Sequence, residues 1–340
     1  MNYEKKRNEE ISISIVIPVY NEAQNIEPLY RGISETLTGK YRDFEIIFID
    51  DGSVDGSHRV LESLHEKDRR VKIIRFRRNF GQSAAISAGF VHCKGDVVIA
   101  MDGDMQNDPA DIPAFVDKIR EGFDMVNGWR KNRKDKLFSR RIPSFLGNKL
   151  ISFITKVKLH DYGCTLRAFT RETAKELTLY GEMHRYIPAI ASRMGVKSVE
   201  IPVNHRERPF GKSKYGLGRT FRLLLDLVSI KYLLTFSYRP LHIFGALGIL
   251  MMGAGFLSGF YLMYLKFALA QTIGGRPLLF FTVLAVCLGF QILTLGLVAE
   301  MLTRIYHEGL QKNVYSVRTF TGFDDNAHPG ETTPDSPAKV

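Results

Sequence analysis

Asp102, Asp104 and Asp108 fall together in the stretch "AMDGDMQNDP", directly after the apolar run "DVVIA". Carboxylates this close repel one another and raise each other's pKa unless a cation sits among them, and hard divalent ions with oxygen ligands suit such a place. Asp102, Asp104 and Gln106 alternate, so on an extended segment they would converge on one Mg2+ or Mn2+. An ion held by so few protein ligands keeps open positions for phosphate oxygens, which is typical of nucleotide chemistry. Asp108, just before Pro109, reads as the cap of the helix that follows.

A turn of this kind needs a strand to present it. From residue 11 the chain alternates short apolar runs, "ISIVIPV", "FEIIFID", "VKIIRF" and "DVVIAMD", with helix-like stretches, the pattern of an α/β fold with a mostly parallel sheet. Burial on both faces explains why these runs are continuously apolar. Ligands in such sheets bind beyond the carboxyl ends of the strands. The four strands end in "PVYNE" (18–22), "DDGSVDGS" (50–57), "RRNFGQ" (77–82) and "DGDMQ" (102–106), and all four tips should share one edge. Singly, each could be an ordinary turn or helix cap, but four polar tips together predict a binding edge.

The formal charge of +11 and a pI near 9.5 point to an anionic partner. The excess is local. Residues 130–149, "RKNRKDKLFSRRIPSFLGNK", hold eight Lys or Arg against one acid, and residues 206–222 hold six against one. The second cluster runs into a helix-like stretch in which Arg219, Arg222, Asp226 and Ser229 form one polar stripe on an apolar helix, as expected of a helix lying in a membrane interface. Two uncharged stretches follow, 241–265 and 278–299, each long enough to cross a hydrocarbon core of about 30 Å. Lys231, Arg239, Arg304, Lys312 and Arg318 flank their outer ends, against Lys266 and Arg276 in the loop between, which predicts cytosolic termini and an integral cytoplasmic-membrane protein. The charged N-terminus carries no apolar secretory segment. Cys93, Cys164 and Cys287 are widely spaced and read as reduced packing residues.

In order, "SIVIPVYNE", "DDGSVDGS", "RNFGQSAAISAGF", "DGDMQNDP", "DYGCTLRAF" and "RPFGKSKY", followed by two membrane spans, resemble the polyprenyl-phosphate glycosyltransferases, a branch of the inverting family 2 glycosyltransferases with a GT-A fold. Dolichol-phosphate mannosyltransferase and the undecaprenyl-phosphate sugar transferases belong to it, and the resemblance covers about residues 11 to 305. It implies a tail over 1–10, a GT-A domain over 11–215, an interfacial amphipathic helix over 216–238, a two-helix transmembrane hairpin within 239–303 (about 241–265 and 278–301) and a cytosolic tail over 304–340, largely disordered at its end. It further implies that Asp102, Asp104 and Gln106 hold Mg2+ or Mn2+ against the diphosphate of a UDP- or GDP-linked sugar, with Asp104 catalytic. Pro18, Tyr20, Glu22, Asp50 and Asp51 fall around the base and ribose, and Asp161 beside the acceptor as the second catalytic candidate. Arg130, Arg140, Ser144 and Arg208 match positions that grip the phosphate of the acceptor, with Arg141 an alternative to Arg140. The implied reaction is attack of a polyprenyl phosphate oxygen on the anomeric carbon of the nucleotide sugar, with inversion, at the surface of the lipid bilayer; self-association as a homo-oligomer stays open.

Two other classes fit less well. A processive polysaccharide synthase would carry a Q-x-x-R-W element, and the only tryptophan, Trp129, lies in "VNGWRK". A basic membrane scaffold or nucleic-acid binder leaves the acidic tip unexplained, and no aromatic stacking pattern interrupts the basic runs, so no nucleic-acid partner is expected.

Overall fold

The computed structural model describes residues 11–131, 152, 157–179, 181–206, 240–309 and 315–323. Arg140, Ser144, Arg208 and the helix expected at 216–238 lie outside them. Two compact units are distinguished, and residues 240–309 belong to the second.

The first unit is built on an eight-stranded sheet: β1 (Ser12–Val19), β2 (Asp43–Asp50), β3 (Val71–Phe76), β4 (Val97–Ala100), β5 (Met125–Trp129), β6 (Arg167–Thr170), β7 (Ser198–Pro202) and β8 (Val317–Thr321), in the order β7-β5-β6-β4-β1-β2-β3-β8. β1 pairs in parallel with both β2 and β4, β2 with β3, and β5 with β7, whereas β6 and β8 run antiparallel to their neighbours. Both faces are covered, as the continuous apolar runs require. Ile13, Ile15 and Ile17 of β1 pack on one side with Ile26, Leu29, Ile33 and Leu37 of helix α1 (Ala23–Leu37), which the helical spacing of these residues places on one stripe, and with Leu61 and Leu64 of helix α2 (Ser57–Lys67). Val16, Ile47 and Ile49 pack on the other against helix α3 (Gln82–His92), buried from Ser83 to Phe90.

Register brings the tips level. Val19 lies opposite Asp50 and Val16 opposite Ala100, so the chain leaves β1, β2 and β4 at one edge of the sheet. The turn after β2 fits only because residue 52 is glycine: its φ is +72°, and a Cβ there would stand 2.5 Å from the carbonyl carbon of Arg78.

β8 is a departure from the sequence expectation, which carried the chain beyond residue 304 as a tail. Ile73, Ile74 and Arg75 of β3 pair with Thr321, Phe320 and Thr319, and the Tyr315 ring stacks on Phe76 with centroids 4.9 Å apart. One short edge strand with Arg318 and Thr319 exposed has no continuous apolar run to announce it.

The second unit is a pair of long helices, Pro240–Phe267 and Pro277–Gly309, with spans at Leu241–Phe267 and Pro277–Leu302 that are long and apolar enough to cross a membrane. Small residues let their backbones approach: a Cβ on Gly248 would lie 2.7 Å from the Gly289 carbonyl oxygen. The hydroxyls of Ser258 and Thr282 hydrogen-bond across the pair at 2.8 Å.

Candidate active site

The tips of β1 and β2 are laced together by short polar side chains. Asn21, with φ at +56°, donates its N–H to Ser53 Oγ at 3.0 Å and accepts from Val54 N at 2.8 Å through Oδ1. Glu22 N donates to Ser57 Oγ at 3.1 Å. This lacing sets the β1 tip, which carries Pro18, Tyr20 and Glu22, alongside the β2 tip, which carries Asp50. Asp50 is fully buried; its Oδ1 accepts from Ser53 N at 2.8 Å, while its Oδ2, 3.7 Å from Arg75 Nε, has no hydrogen-bond donor among the described residues. A buried acceptor left open at a strand tip suits an N–H or O–H brought by a ligand. Asp51 does something else: its two oxygens accept from the backbone N–H groups of Phe80 (2.6 Å) and Gly81 (2.9 Å). Burial pushes this carboxyl up to about 6 although both N–H groups pull it down. Its geometry is that of a clamp fixing the loop between β3 and α3.

The acidic stretch after β4 is a turn, not the extended segment that strict alternation would need. Met105 takes φ at +66°, a conformation that residues other than glycine rarely adopt and that concentrates at functional sites. Asp104 Oδ1 accepts from Gln106 N at 3.1 Å, closing the turn on itself. Asp102 is held on both sides, by Gln82 Nε2 on Oδ1 (2.7 Å) and Thr165 Oγ1 on Oδ2 (2.8 Å). The Gln106 backbone carbonyl accepts from Arg206 N at 3.0 Å. Asp108 caps the following turn through Ala110 N at 3.0 Å, as expected, and also takes both Nε and Nη2 of Arg206. These contacts pin residues 205–206 against the acidic turn.

Among the described residues no three His, Cys, Asp or Glu side chains form a complete metal cage. Asp102, Asp104 and the Gln106 side chain instead make a partial set, which fits an ion that takes its remaining ligands from substrate phosphates. Burial, then the neighbouring Asp104 charge, drives Asp102 up to about 7, so the pair of carboxylates favours a cation between them. A carboxyl held above its ordinary value stabilises the fold fully below about pH 4 and loses that contribution as the pH rises toward about 7. The metal-free protein is thus expected to melt higher at about pH 5 than at about pH 8, with Mn2+ raising Tm by several degrees at the higher pH and hardly at the lower. Identical melting curves at the higher pH with Mn2+ and with EDTA would show that no ion is held here.

On the other side of β4, β5 and β6 bring Arg130 and Asp161 together. Arg130 donates from Nε to Asp161 Oδ2 at 2.7 Å and from Nη2 to Oδ1 at 3.0 Å, with the side chains 14% and 3% exposed. Burial alone would lower the Arg130 pKa, but the Asp161 hydrogen bonds and charge outweigh it and hold the guanidinium above its ordinary value. The backbone N–H groups of Arg130 and Gly163 also donate to Asp161, at 3.4 and 3.0 Å. The backbone N–H groups of His160 and Asp161 both donate to Glu200, and the His160 ring stacks on Trp129 with centroids 4.3 Å apart. The sequence named Arg130 and Asp161 for separate tasks; the fold makes them one ion pair. Gln82, Thr165, Glu200 and Arg206 were missed, because each acts on a residue far away in the chain, although Gln82 and Thr165 sit inside stretches already singled out.

The family model described as Glycosyl transferase family 2 matches residues 14–178. The chain is 41% identical over 328 residues to dodecaprenyl-phosphate galacturonate synthase of Rhizobium johnstonii, covering 93% of this chain and 94% of the relative. It is 39% identical over 298 residues to undecaprenyl-phosphate 4-deoxy-4-formamido-L-arabinose transferase of Klebsiella pneumoniae, covering 87% and 89%. Glucosyl-3-phosphoglycerate synthase from Mycobacterium tuberculosis, crystallised with Mn2+, UDP and glucosyl-3-phosphoglycerate, superimposes with a TM-score of 0.50 at 19% identity over 66% of this chain and 79% of that one, a likeness of fold.

Proposed function

Because the chain belongs to the polyprenyl-phosphate branch of glycosyl transferase family 2, we propose that it is an integral membrane enzyme that moves a sugar from a UDP- or GDP-linked donor to a polyprenyl phosphate with inversion, using Mg2+ or Mn2+. The observation that carries this reading is the Asp102–Asp104 turn at the tip of β4. The strand order sets it with the β1 and β2 tips on one side and the Arg130–Asp161 pair on the other, so a donor diphosphate and an acceptor phosphate would meet there.

Asp50 takes a hydrogen bond from the nucleoside through its open Oδ2, with Pro18, Tyr20 and Glu22 beside it. A divalent cation bound by Asp102, Asp104 and Gln106 supplies charge neutralisation of the departing diphosphate. The attacking group is a phosphate monoester whose second pKa is near 6, so it is mostly ionised at neutral pH and needs no strong base. Asp161, with both oxygens on Arg130, accordingly orients the arginine toward the acceptor and does not remove a proton. Arg140, Ser144 and Arg208 complete the acceptor phosphate site in this reading. The test is to incubate detergent-solubilised protein with polyprenyl phosphate and a panel of nucleotide sugars, galacturonate and 4-deoxy-4-formamido-L-arabinose donors among them, and to look for the lipid-linked product. No product with any donor sinks the proposal.

The catalytic unit and both termini lie in the cytosol in this reading, with residues 268–276 across the membrane. β8 supports it: residues 315–323, which follow the helical pair in the chain, pair with β3 in the same sheet as the strands that precede the pair. A Gln271→Cys variant is expected to react with a membrane-impermeant thiol reagent on intact cells, whereas the unsubstituted protein, with Cys93 and Cys164 buried and Cys287 inside the apolar span Pro277–Leu302, stays unlabelled. Labelling only after permeabilisation would reverse the orientation.

A further inference from the structure

Arg167 stands at the start of β6, opposite Ala100 of β4 and Asn127 of β5, two residues before Asp102 and three before Arg130. It is 4% exposed, and no carboxylate among the described residues pairs with it. Burying a guanidinium is costly, and here the cost is met by two backbone carbonyls: Nη1 donates to His184 O and Nη2 to Tyr162 O, each at 2.8 Å.

The two carbonyls belong to opposite halves of the site. His184 is fastened twice to Ser83, whose Oγ lies 3.0 Å from the His184 backbone N and 2.9 Å from its ring Nδ1. Ser83 follows Gln82, which holds Asp102. Tyr162 follows Asp161, which holds Arg130. One planar side chain therefore joins the residues around the acidic turn to those around the ion pair, and a fork of two donors fixed in one plane sets a distance that a single-point donor cannot.

We infer that Arg167 is a positioning residue for the transfer, bridging Tyr162 and His184 so that the donor-side Asp102 and the acceptor-side Arg130–Asp161 pair are held at the separation that in-line attack needs. This rests on the proposed reaction. A misplacement of about 1 Å between reacting groups costs on the order of a hundredfold in rate while leaving each binding site intact.

The experiment uses the full chain in detergent, with the donor and polyprenyl phosphate that the unsubstituted enzyme turns over. Arg167→Gln and Arg167→Lys are expected to lower kcat by about a hundredfold, with both KM values changed by less than about threefold. The affinity for nucleoside diphosphate with Mn2+, measured by calorimetry without turnover, should be equally unmoved. Ser83→Ala, which loosens the far joint and removes only a hydroxyl, should lower kcat by roughly three- to tenfold with the same split. Full activity in Arg167→Lys would overturn the inference, since charge alone would then suffice. So would a rise in both KM values together with a lower Tm, the mark of a purely structural residue. If Arg167→Gln does not fold, Ser83→Ala decides alone, and wild-type kcat there rejects the bridge. Absence of turnover by the unsubstituted enzyme with every nucleotide sugar would remove the functional reading, and with it this inference.

Discussion

Asp104→Asn is expected to lower kcat by about a thousandfold with the fold unchanged, because a carboxylate lost from the proposed ion site would forfeit several kcal/mol of charge stabilisation as the diphosphate leaves. The structural cost should be slight. The hydrogen bond described for Asp104 is one accepted from Gln106 N, and an asparagine oxygen in the same place can still accept it. Asp102 offers no such clean experiment, since both of its oxygens receive donors and an amide would turn an N–H toward one of them. The check is product formation at saturating substrates, together with a Mn2+ titration in which the variant should bind at least about tenfold more weakly. Full wild-type turnover in excess EDTA would remove the ion from the mechanism.

The second large effect is on stability. Arg130→Met leaves Asp161 buried without its partner, and Asp161→Asn does the converse; breaking a buried pair from one side typically costs about 3–5 kcal/mol. For a domain of this size that corresponds to a fall in Tm of roughly 10 °C. Arg130→Met combined with Asp161→Asn carries no unpaired charge, so the two losses should not add, and a coupling of about 2 kcal/mol is expected. The single tryptophan, Trp129, lies next to Arg130 and reports melting directly by its fluorescence. Additive losses would mean that the ion pair is not closed in solution. Turnover should fail in the double variant even where it is folded, because the proposed acceptor side has lost its guanidinium.

The parts of the site that are contiguous in the chain could be read from it. "PVYNE", "DDGSVDGS" and "DGDMQ" each follow an apolar run, and the rule that parallel strands end at one edge is enough to gather them. The parts that depend on neighbours could not. That Arg130 faces Asp161 follows from β5 lying beside β6, an antiparallel insertion that no run of residues declares. Gln82 and Thr165 reach Asp102 from 20 and 63 residues away. Asp51, which the resemblance places around the base and ribose, has its oxygens on two backbone N–H groups of another loop, a contact that no run of residues declares. The turn at Met105 was hidden for a different reason: methionine carries no preference for a positive φ, so nothing in "DGDMQ" contradicts an extended segment.

The late partner of β3 sets an order on biosynthesis. About 240 residues separate Phe76 from Val317, including the whole helical pair, so at a ribosomal rate of about 5–20 residues per second the outer edge of β3 waits roughly 10–50 s for its last strand. Through that interval Ile73, Ile74 and Phe76 border a row of open backbone groups, the kind of edge along which nascent chains stick to one another. The C-terminal strand would then serve as a seal, set only after both hydrophobic helices have left the ribosome, and a chain truncated before residue 315 should aggregate even though every side chain of the candidate site has been made.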